Sequence, residues 1–390
     1  MFERICAEKC CGCGACAAIC AKTAISMKTD DKGFLYPAFD EAKCVNCNLC
    51  LKVCPARSNV PKTNFLQQAY VCQNKSTAVL RNSTSGGAFT SLTDAVFAKG
   101  GVVYGAIYDE KLRVVHCRAE NKEMRDRMCG SKYVQSDICL VFEQILNDLR
   151  NQMVFFSGTP CQVDAVKRYC ENSQYAERLI TCDIVCYGVP SPKVFESHIS
   201  YLEKRYRCKI TNYWHRPSYR GFQWGCDNDA ALKNDGEKLY GTAWINAYRK
   251  LFYSGVSKRD CCYSCRYTST KRVGDITIAD CRQAKQLVPE WDLSDGISSV
   301  LVNTERGMRI LEAAMNELRL KKVSVEEIDQ PPLHTPCAIS SKRDLFFETL
   351  RTRGYKNAVL TVNKRDFALR YWIKKKLSGI TKNEWYKKDY

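Results

Sequence analysis

The feature that most constrains this chain is a cysteine run that occurs twice near its start. Each run has four cysteines with spacers of two, two and three residues, and a proline follows the second run. The runs are Cys10, Cys13, Cys16 and Cys20, and then Cys44, Cys47, Cys50 and Cys54. Short spacers let a looped backbone bring three thiolates around one small cage, as a cubane iron–sulfur cluster requires. Zinc also binds Cys-x2-Cys pairs, but a structural zinc ion needs four ligands and not this doubled array.

In doubled runs of this kind, the fourth cysteine of each run binds the cluster of the other run. We therefore expect two 4Fe–4S clusters, one on Cys10, Cys13, Cys16 and Cys54 and one on Cys44, Cys47, Cys50 and Cys20. Residues 1–56 resemble bacterial-type dicluster ferredoxin domains, which implies a small α+β fold. Ala21 replaces the proline that usually follows the first run in that family. Cys6 and Cys11 lie outside the spacing pattern, so we do not expect them to be ligands.

The composition favours metal or redox chemistry over disulfide bonding. The 390 residues include 25 cysteines, and the N-terminus lacks the apolar segment of a secretory signal. Reducing compartments keep thiols free, so a high cysteine content there indicates metal binding or catalysis. No apolar run reaches the roughly 18 residues that a membrane-spanning helix needs, and we expect a cytoplasmic protein.

Residues 65–350 alternate apolar strand-like runs with helical stretches, which predicts a larger α/β domain. The expected strands are 101–107, 153–156, 179–185, 276–278 and 299–302, and the expected helices are 88–99, 138–150, 163–170, 191–205 and 306–320. We expect a linker at 57–64, two parts of the larger domain at 65–145 and 146–350, and a basic tail at 351–390.

Several turns that follow predicted strands contain residues that could bind a ligand or a metal. The turn at 84–87 is built of small residues before a helix, where free N–H groups suit an anion or a cofactor phosphate. Taken alone, this motif is better explained as an ordinary helix start. Cys161 and Cys186 each follow a strand, and in a parallel sheet they would share the carboxyl edge, where ligands bind. Cys262 and Cys265 add one further Cys-x2-Cys pair. The four could complete a third cluster, or they could be ordinary thiols.

These motifs occur in one order along the chain, at 84–87, 130–133, 158–162, 186–192, 262–265 and 275–278. Together with the doubled cysteine run, the set resembles the coenzyme F420 hydrogenase/dehydrogenase beta-subunit family over nearly the whole chain. The resemblance implies a flavin-binding α/β domain. In that family FAD lies next to an iron–sulfur cluster and exchanges a hydride with a deazaflavin or another acceptor.

The resemblance also assigns residues to these cofactors. It places the flavin on Thr84, Ser85, Gly86, Gly87, Ser131, Lys132 and Tyr133, and a third cluster on Cys161, Cys186, Cys262 and Cys265. Lys132 would offset charge on the phosphates or on the reduced ring, with a solvated surface lysine as the alternative. Two departures leave the substrate open: Tyr187 stands where relatives often carry His, and Asp280-Cys281-Arg282 replaces Asp-Phe-Trp-Gly. No catalytic residue is assigned.

We therefore expect an iron–sulfur flavoprotein oxidoreductase that passes electrons from ferredoxin-type clusters through FAD to a coenzyme F420-like or other hydride acceptor. Because the cluster unit is fused to the larger domain, a soluble ferredoxin is the expected redox partner. Two alternatives remain open: a non-catalytic electron-transfer subunit, and a membrane-associated redox adaptor in polysaccharide biosynthesis.

Much of the net positive charge lies at the end of the chain. Residues 351–390 carry twelve basic and three acidic side chains, which is half of the formal net charge of +18. Bases mixed with aromatic residues there could contact an anionic membrane surface, or form a solvated helix. No nucleic-acid motif accompanies the charge, so we expect no nucleic-acid partner. His215, with Arg216, Arg220 and Trp224 nearby, could hold a planar acidic substrate or form an interface patch.

Overall fold

The computed structural model describes residues 7–57, 65–217, 228–363, 368–369 and 372–373. Its first part has the expected α+β fold, with helices α1 (Ala15–Ala18) and α2 (Leu49–Lys52) and an antiparallel hairpin of β1 (Ile25–Thr29) and β2 (Leu35–Phe39). Each helix begins after a left-handed residue, Gly14 (φ 78°) and Asn48 (φ 60°). Gly and Asn tolerate this conformation best, so the chain can turn tightly between the cysteines.

The larger domain is built on a sheet of eight strands. The strands are β3 (Gln68–Asn74), β4 (Val102–Tyr108), β5 (Val114–Ala119), β6 (Val154–Gly158), β7 (Leu179–Ile184), β11 (Ile276–Asp280), β12 (Ser298–Val302) and β13 (Leu318–Val323). Their spatial order is β13-β3-β12-β11-β7-β6-β4-β5. Strands β4, β6, β7 and β11 are mutually parallel. Their carboxyl ends therefore meet at one edge of the sheet, which we call the carboxyl edge.

Helices cover this sheet and pack around a second, smaller sheet. They are α3 (Thr77–Arg81), α4 (Ala88–Phe97), α5 (Lys122–Asp126), α6 (Phe142–Asn151), α7 (Pro160–Cys170), α8 (Pro192–Tyr206), α9 (Ala247–Tyr253), α10 (Ala284–Leu287), α11 (Glu305–Ala314) and α12 (Arg343–Val362). The smaller antiparallel sheet has the order β10-β9-β8 and consists of β8 (Ile210–His215), β9 (Asp229–Lys233) and β10 (Lys238–Tyr240). The α/β prediction for the larger domain is confirmed.

The five predicted strands and five predicted helices are confirmed to within a few residues, with one substantial error. The helix expected at 306–320 ends at Ala314, and β13 begins at Leu318. In β13, buried Leu318 is followed by exposed Arg319, an alternation that suits pairing with β3 at the edge of the sheet. The short strands of the smaller sheet were also missed.

Two expected boundaries fall inside helices. The boundary at 145 lies in α6, and the boundary at 350 lies in α12, which bends at Gly354 (φ 76°). Beyond the bend, Tyr355, Ala358 and Val359 are buried, so residues 351–362 belong to the domain core. The basic run 374–376 and its neighbouring aromatic residues lie outside the described residues. No helix in the described ranges is long and apolar enough to cross a bilayer.

The cysteine-rich unit shares its core with the larger domain. Cys13 and Ala15 are buried against Phe142 of α6. The Gln135 side-chain amide donates a hydrogen bond to the Cys11 carbonyl (2.8 Å), and the Arg266 guanidinium donates to the Pro55 carbonyl (2.6 Å). These contacts hold the first cysteine run against the carboxyl edge.

Candidate metal and cofactor centre

The first set of predicted cluster ligands converges inside the cysteine-rich unit. Its members are all buried and line one cavity of about 310 Å³, mouth included: Cys10, Cys13, Cys16 and Cys54. Burial, together with the nearby charges of Cys10 and Cys54, raises the pKa of the Cys16 thiol to about 12. The metal-free Cys16 thiol is therefore protonated near neutral pH, and cluster binding must displace its proton. Four thiols that line one cavity are the donor set that a cubane cluster needs.

The second set lies closer to the surface. Cys47 is exposed, whereas Cys20, Cys44 and Cys50 are half-buried. Helices α1 and α2 pack together, which brings Cys20, just after α1, to the same side as Cys50 in α2. A cluster on these residues would be the one that an external partner reaches most easily.

The spacing of potential ligands bears on the kind of metal that fits. Within the described residues, no three cysteine, histidine or carboxylate side chains converge closely enough to hold a single metal ion. A cubane keeps its four ligand sulfurs farther apart, because iron and sulfide fill the space between them.

The four cysteines of the larger domain also converge, at the carboxyl edge. Cys161 lies in the first turn of α7, after β6, and Cys186 follows β7. Burial, and then the nearby charges of the other three (Cys262, Cys161 and Cys265), raise the pKa of the Cys186 thiol well above its ordinary value. Backbone N–H groups already point at two of these sulfurs, Gly188 N–H at Cys186 Sγ (3.3 Å) and Val189 N–H at Cys262 Sγ (3.5 Å). This set fits a third cluster.

Cys11 connects the first and third sets. Its side chain packs in one cluster with Cys13 and Cys161. The neighbouring Cys13 raises the pKa of the Cys11 thiol well above its ordinary value. From its position outside the spacing pattern, Cys11 was not expected to be a cluster ligand. Only the docking of the two domains shows that it bridges two ligand sets.

The turn at 84–87 lies beside β3 and the start of β12. A Cβ at Gly86 would lie 2.5 Å from the Cys72 carbonyl oxygen and 2.6 Å from the Ser298 nitrogen, so only glycine fits there. Gly87 (φ 75°) precedes α4, and no side chain caps that helix. Thr84 and Ser85 are half-buried. Uncapped N–H groups of a ten-residue helix beside two hydroxyls fit a phosphate-bearing cofactor such as FAD.

The segment 131–133 contacts this turn. Ser131 N–H donates to Thr84 Oγ1 (3.0 Å). The Arg216 guanidinium donates to Asp280 (2.6 Å), to the Tyr133 hydroxyl (3.2 Å) and to the Thr84 carbonyl (3.4 Å). Sequence reasoning did not connect Arg216 or Asp280 to this turn, because the smaller sheet that carries Arg216 was not predicted.

Lys132 is engaged elsewhere. Its ammonium donates to the carbonyls of Met128, Cys129 and Gly130 at 3.1–3.3 Å. Burial lowers its pKa to about 8. In this arrangement the Lys132 ammonium stabilises the loop that precedes it. Its expected contact with a flavin stays a prediction.

His215 lies at the end of a buried hydrogen-bond network. Its Nδ1 contacts Asp229 (3.1 Å), and the Tyr213 hydroxyl donates to the same carboxylate (2.9 Å). Its Nε2 is buried without a hydrogen-bond partner among the described residues. Arg220 and Trp224, expected beside it, lie outside those residues.

Aromatic rings fill the space between the third cysteine set and the 84–87 turn. The Tyr133 ring stacks on Phe252 with centroids 4.5 Å apart, and Tyr187 packs edge-on to Phe252 at 6.1 Å. Tyr187 directly follows Cys186, and Tyr133 contacts Arg216. The two candidate cofactor sites are therefore joined by continuous packing.

Two stretches of the chain match known families. Residues 151–328 match the family described as the C terminus of the coenzyme F420 hydrogenase/dehydrogenase beta subunit, and residues 9–58 match a 4Fe-4S dicluster domain. The larger domain is therefore similar to the C-terminal part of these beta subunits, and the cysteine-rich unit is similar to dicluster iron–sulfur domains. The expected resemblance is thereby confirmed for both stretches.

Individual known proteins match different parts of this chain. An uncharacterized ferredoxin of Methanocaldococcus jannaschii is 39% identical over 51 residues, which is 13% of this chain and 65% of that ferredoxin. The chain thus spans less than two thirds of that relative's length. A chain of the F420-reducing NiFe hydrogenase complex from Methanosarcina barkeri is structurally similar, with a TM-score of 0.46 and 15% identity, covering 82% of this chain and 97% of that one.

Gly86 provides a test of the 84–87 turn. We expect Gly86→Ala to lower the free energy of unfolding by about 1–3 kcal/mol, since the new methyl group would overlap two backbone atoms. The displaced turn should also lose bound flavin, measured as FAD per chain after anaerobic purification. Gly100→Ala is the control: its methyl group meets nothing within 4 Å, so only a left-handed backbone of φ 70° is strained. Full flavin content in Gly86→Ala would contradict the assignment of this turn.

Proposed function

We propose that this chain is an iron–sulfur flavoprotein oxidoreductase that moves electrons between ferredoxin-type clusters, a third cluster and FAD, and exchanges a hydride with a coenzyme F420-like or other acceptor. The observation that carries the proposal is the position of Cys11, which packs in one cluster with Cys13 of the first set and Cys161 of the third. Clusters transfer single electrons and a flavin exchanges a hydride, so the flavin joins the two kinds of chemistry.

The three cysteine sets form a route from the surface to the carboxyl edge. The second set includes exposed Cys47, with exposed Val45 and Leu49 on either side of it, and would accept electrons from a soluble ferredoxin. The first set is buried against the larger domain, where Cys11 leads to Cys161. Burial of the first set limits the access of water and oxygen to its sulfurs.

The flavin would occupy the side of the carboxyl edge next to the third set. The turn at 84–87 would hold its phosphates at the start of α4, and the Ser131 N–H fixes the Thr84 hydroxyl that borders this turn. Arg216, held by Asp280, keeps the Thr84 carbonyl and the Tyr133 hydroxyl in place. The rings of Tyr133, Phe252 and Tyr187 line the way back to Cys186.

Anaerobic purification followed by iron, sulfide and flavin analysis tests the cofactor content. Three clusters correspond to about twelve iron atoms per chain, and we expect them together with one FAD. About eight iron atoms without flavin would contradict the proposal.

A turnover assay then separates an enzyme from a non-catalytic electron-transfer subunit. Reduced ferredoxin should drive reduction of a deazaflavin by the isolated chain, with a viologen as the one-electron control acceptor. A chain that reduces the viologen but no hydride acceptor would instead be the electron-transfer subunit of a larger complex.

A further inference from the structure

Two adjacent basic residues of the larger domain are completely buried between the first and third cysteine sets. Lys258 and Arg259 are both 0% exposed. Among the described residues neither is paired with a carboxylate, and the adjacent Asp260 is bound to Arg343 (2.5 Å). A buried charge without a counter-charge is strongly unfavourable, so each cation needs a negative group in its immediate surroundings.

Arg259 points into the cysteine-rich unit. Its guanidinium donates to the carbonyls of Cys10 (2.7 Å) and Leu35 (2.8 Å), and it lies 4.2 Å from the Tyr36 ring centroid. One guanidinium nitrogen is 3.8 Å from Cys10 Sγ. The group close to Arg259 that becomes negative on cluster binding is therefore the Cys10 thiolate.

Lys258 points the other way, toward the third set. Its ammonium donates to the Tyr187 carbonyl (2.5 Å) and lies 3.6 Å from the centroid of the Tyr187 ring and 4.6 Å from that of Phe252. The ionisable groups near it are thiols, those of Cys186, Cys262 and Cys337. Burial lowers the pKa of the Lys258 ammonium, and the nearby cysteines act in the opposite direction. Thiolates bound to a cluster would supply the missing negative charge.

We propose that Lys258 and Arg259 are the counter-charges of two clusters, Arg259 for the cluster on Cys10 and Lys258 for the cluster on Cys186 and Cys262, and that they raise the reduction potentials of both. Reduction adds one electron to a centre that already carries roughly two negative charges. A fixed positive charge in a poorly screened interior stabilises the reduced form more than the oxidised form. The Lys258 part rests on the third cluster of the proposed function, whereas the Arg259 part needs only the ferredoxin-type clusters.

The test is an EPR-monitored redox titration of the full chain, purified anaerobically. Lys258→Met removes the charge at nearly constant volume, and Lys258→Arg keeps it. In Lys258→Met we expect the midpoint of the third cluster to fall by about 59 mV or more, equivalent to a tenfold change in the ratio of reduced to oxidised cluster. Lys258→Arg should stay near the wild-type value. Arg259→Met and Arg259→Lys make the same comparison for the cluster on Cys10.

Controls separate charge at this position from charge in general. Lys285→Met makes the same substitution at an exposed position in α10 and should leave both midpoints unchanged. If Lys258→Met does not accumulate, Lys258→Gln is used, since its amide can still donate to the Tyr187 carbonyl.

The possible outcomes are distinct. A complete third cluster whose midpoint is unmoved in Lys258→Met overturns the Lys258 part and leaves the proposed function standing. A wild-type chain with only two clusters overturns the third cluster itself, and Arg259→Met then decides the remaining part. An unmoved midpoint in Arg259→Met overturns that part.

Discussion

Cys262→Ser is expected to lower the iron content from about twelve to about eight atoms per chain and to stop electron transfer to the flavin. Cys262 is buried and lies next to Cys186, Cys161 and Cys265, and the Val189 N–H already points at its sulfur. A serine hydroxyl is a harder and more basic donor than a thiolate, so it is a poor substitute in a four-thiolate site.

The accompanying kinetic effect should be large. Removing the third cluster opens a gap in the route between the first set and the flavin, so we expect ferredoxin-driven reduction of the acceptor to fall at least about 100-fold. The ferredoxin-type clusters should still be reduced at the wild-type rate, which a stopped-flow measurement of their bleaching would show.

Cys261→Ser is the matched control, because Cys261 adjoins Cys262 and its thiol contacts the Cys262 sulfur without belonging to the proposed set. It should keep about twelve iron atoms. Loss of iron in Cys261→Ser but not in Cys262→Ser would show that the ligand assignment is wrong.

Asp183→Ala is expected to lower the free energy of unfolding by about 3–5 kcal/mol. The side chains of Asp183 and Arg272 are 0% and 2% exposed, and their charged atoms are 3.2 Å apart. The same carboxylate accepts the Gly274 N–H (3.0 Å), and Arg272 also donates to the carbonyl of Ile184. The substitution would leave a buried, uncompensated guanidinium and separate the segment after Cys265 from the end of β7.

The measurement is the midpoint of anaerobic urea unfolding, with the rate of iron release to a chelator as a second readout. Both should change, since the pair joins the segments that carry Cys186 and Cys265. The double variant Asp183→Leu/Arg272→Met should recover part of the stability, because no unpaired charge remains. Glu348→Ala breaks an exposed pair with Arg351, both 63% exposed, and should cost less than about 1 kcal/mol. A similarly small effect in Asp183→Ala would contradict the prediction.

Local patterns explain why parts of the fold and site were predictable. The two ferredoxin-type ligand sets follow from spacing alone, since the backbone between Cys10 and Cys16 can reach only a small cage. The shared position of Cys161 and Cys186 follows from two apolar runs that form adjacent parallel strands. Short apolar runs also predict β11 and β12. In contrast, β8 to β10 mix polar with apolar residues over three to six positions, so no apolar run marks them as strands.

Roles that depend on contacts between distant segments could not be predicted. From the sequence, Lys132 was expected to be available to a flavin. In the structure its ammonium donates hydrogen bonds to three carbonyls of its own loop. Arg216 reaches Asp280 across 64 residues of chain, and the Cys11 thiol reaches Cys161. No local propensity encodes such pairs, because their free energy is gained only after the sheet and the smaller sheet have packed.

The sequence by itself determined the cluster chemistry and the order of the domains, because ligand spacing and strand–helix alternation are local properties of the chain. The tertiary structure decided how these parts are connected. It placed the first cysteine set against the third and put Cys11 between them. It also buried Lys258 and Arg259 where none of the described residues gives them a carboxylate partner. The physical reason is that burial and charge compensation are set by whichever groups end up side by side, which spacing along the chain does not specify.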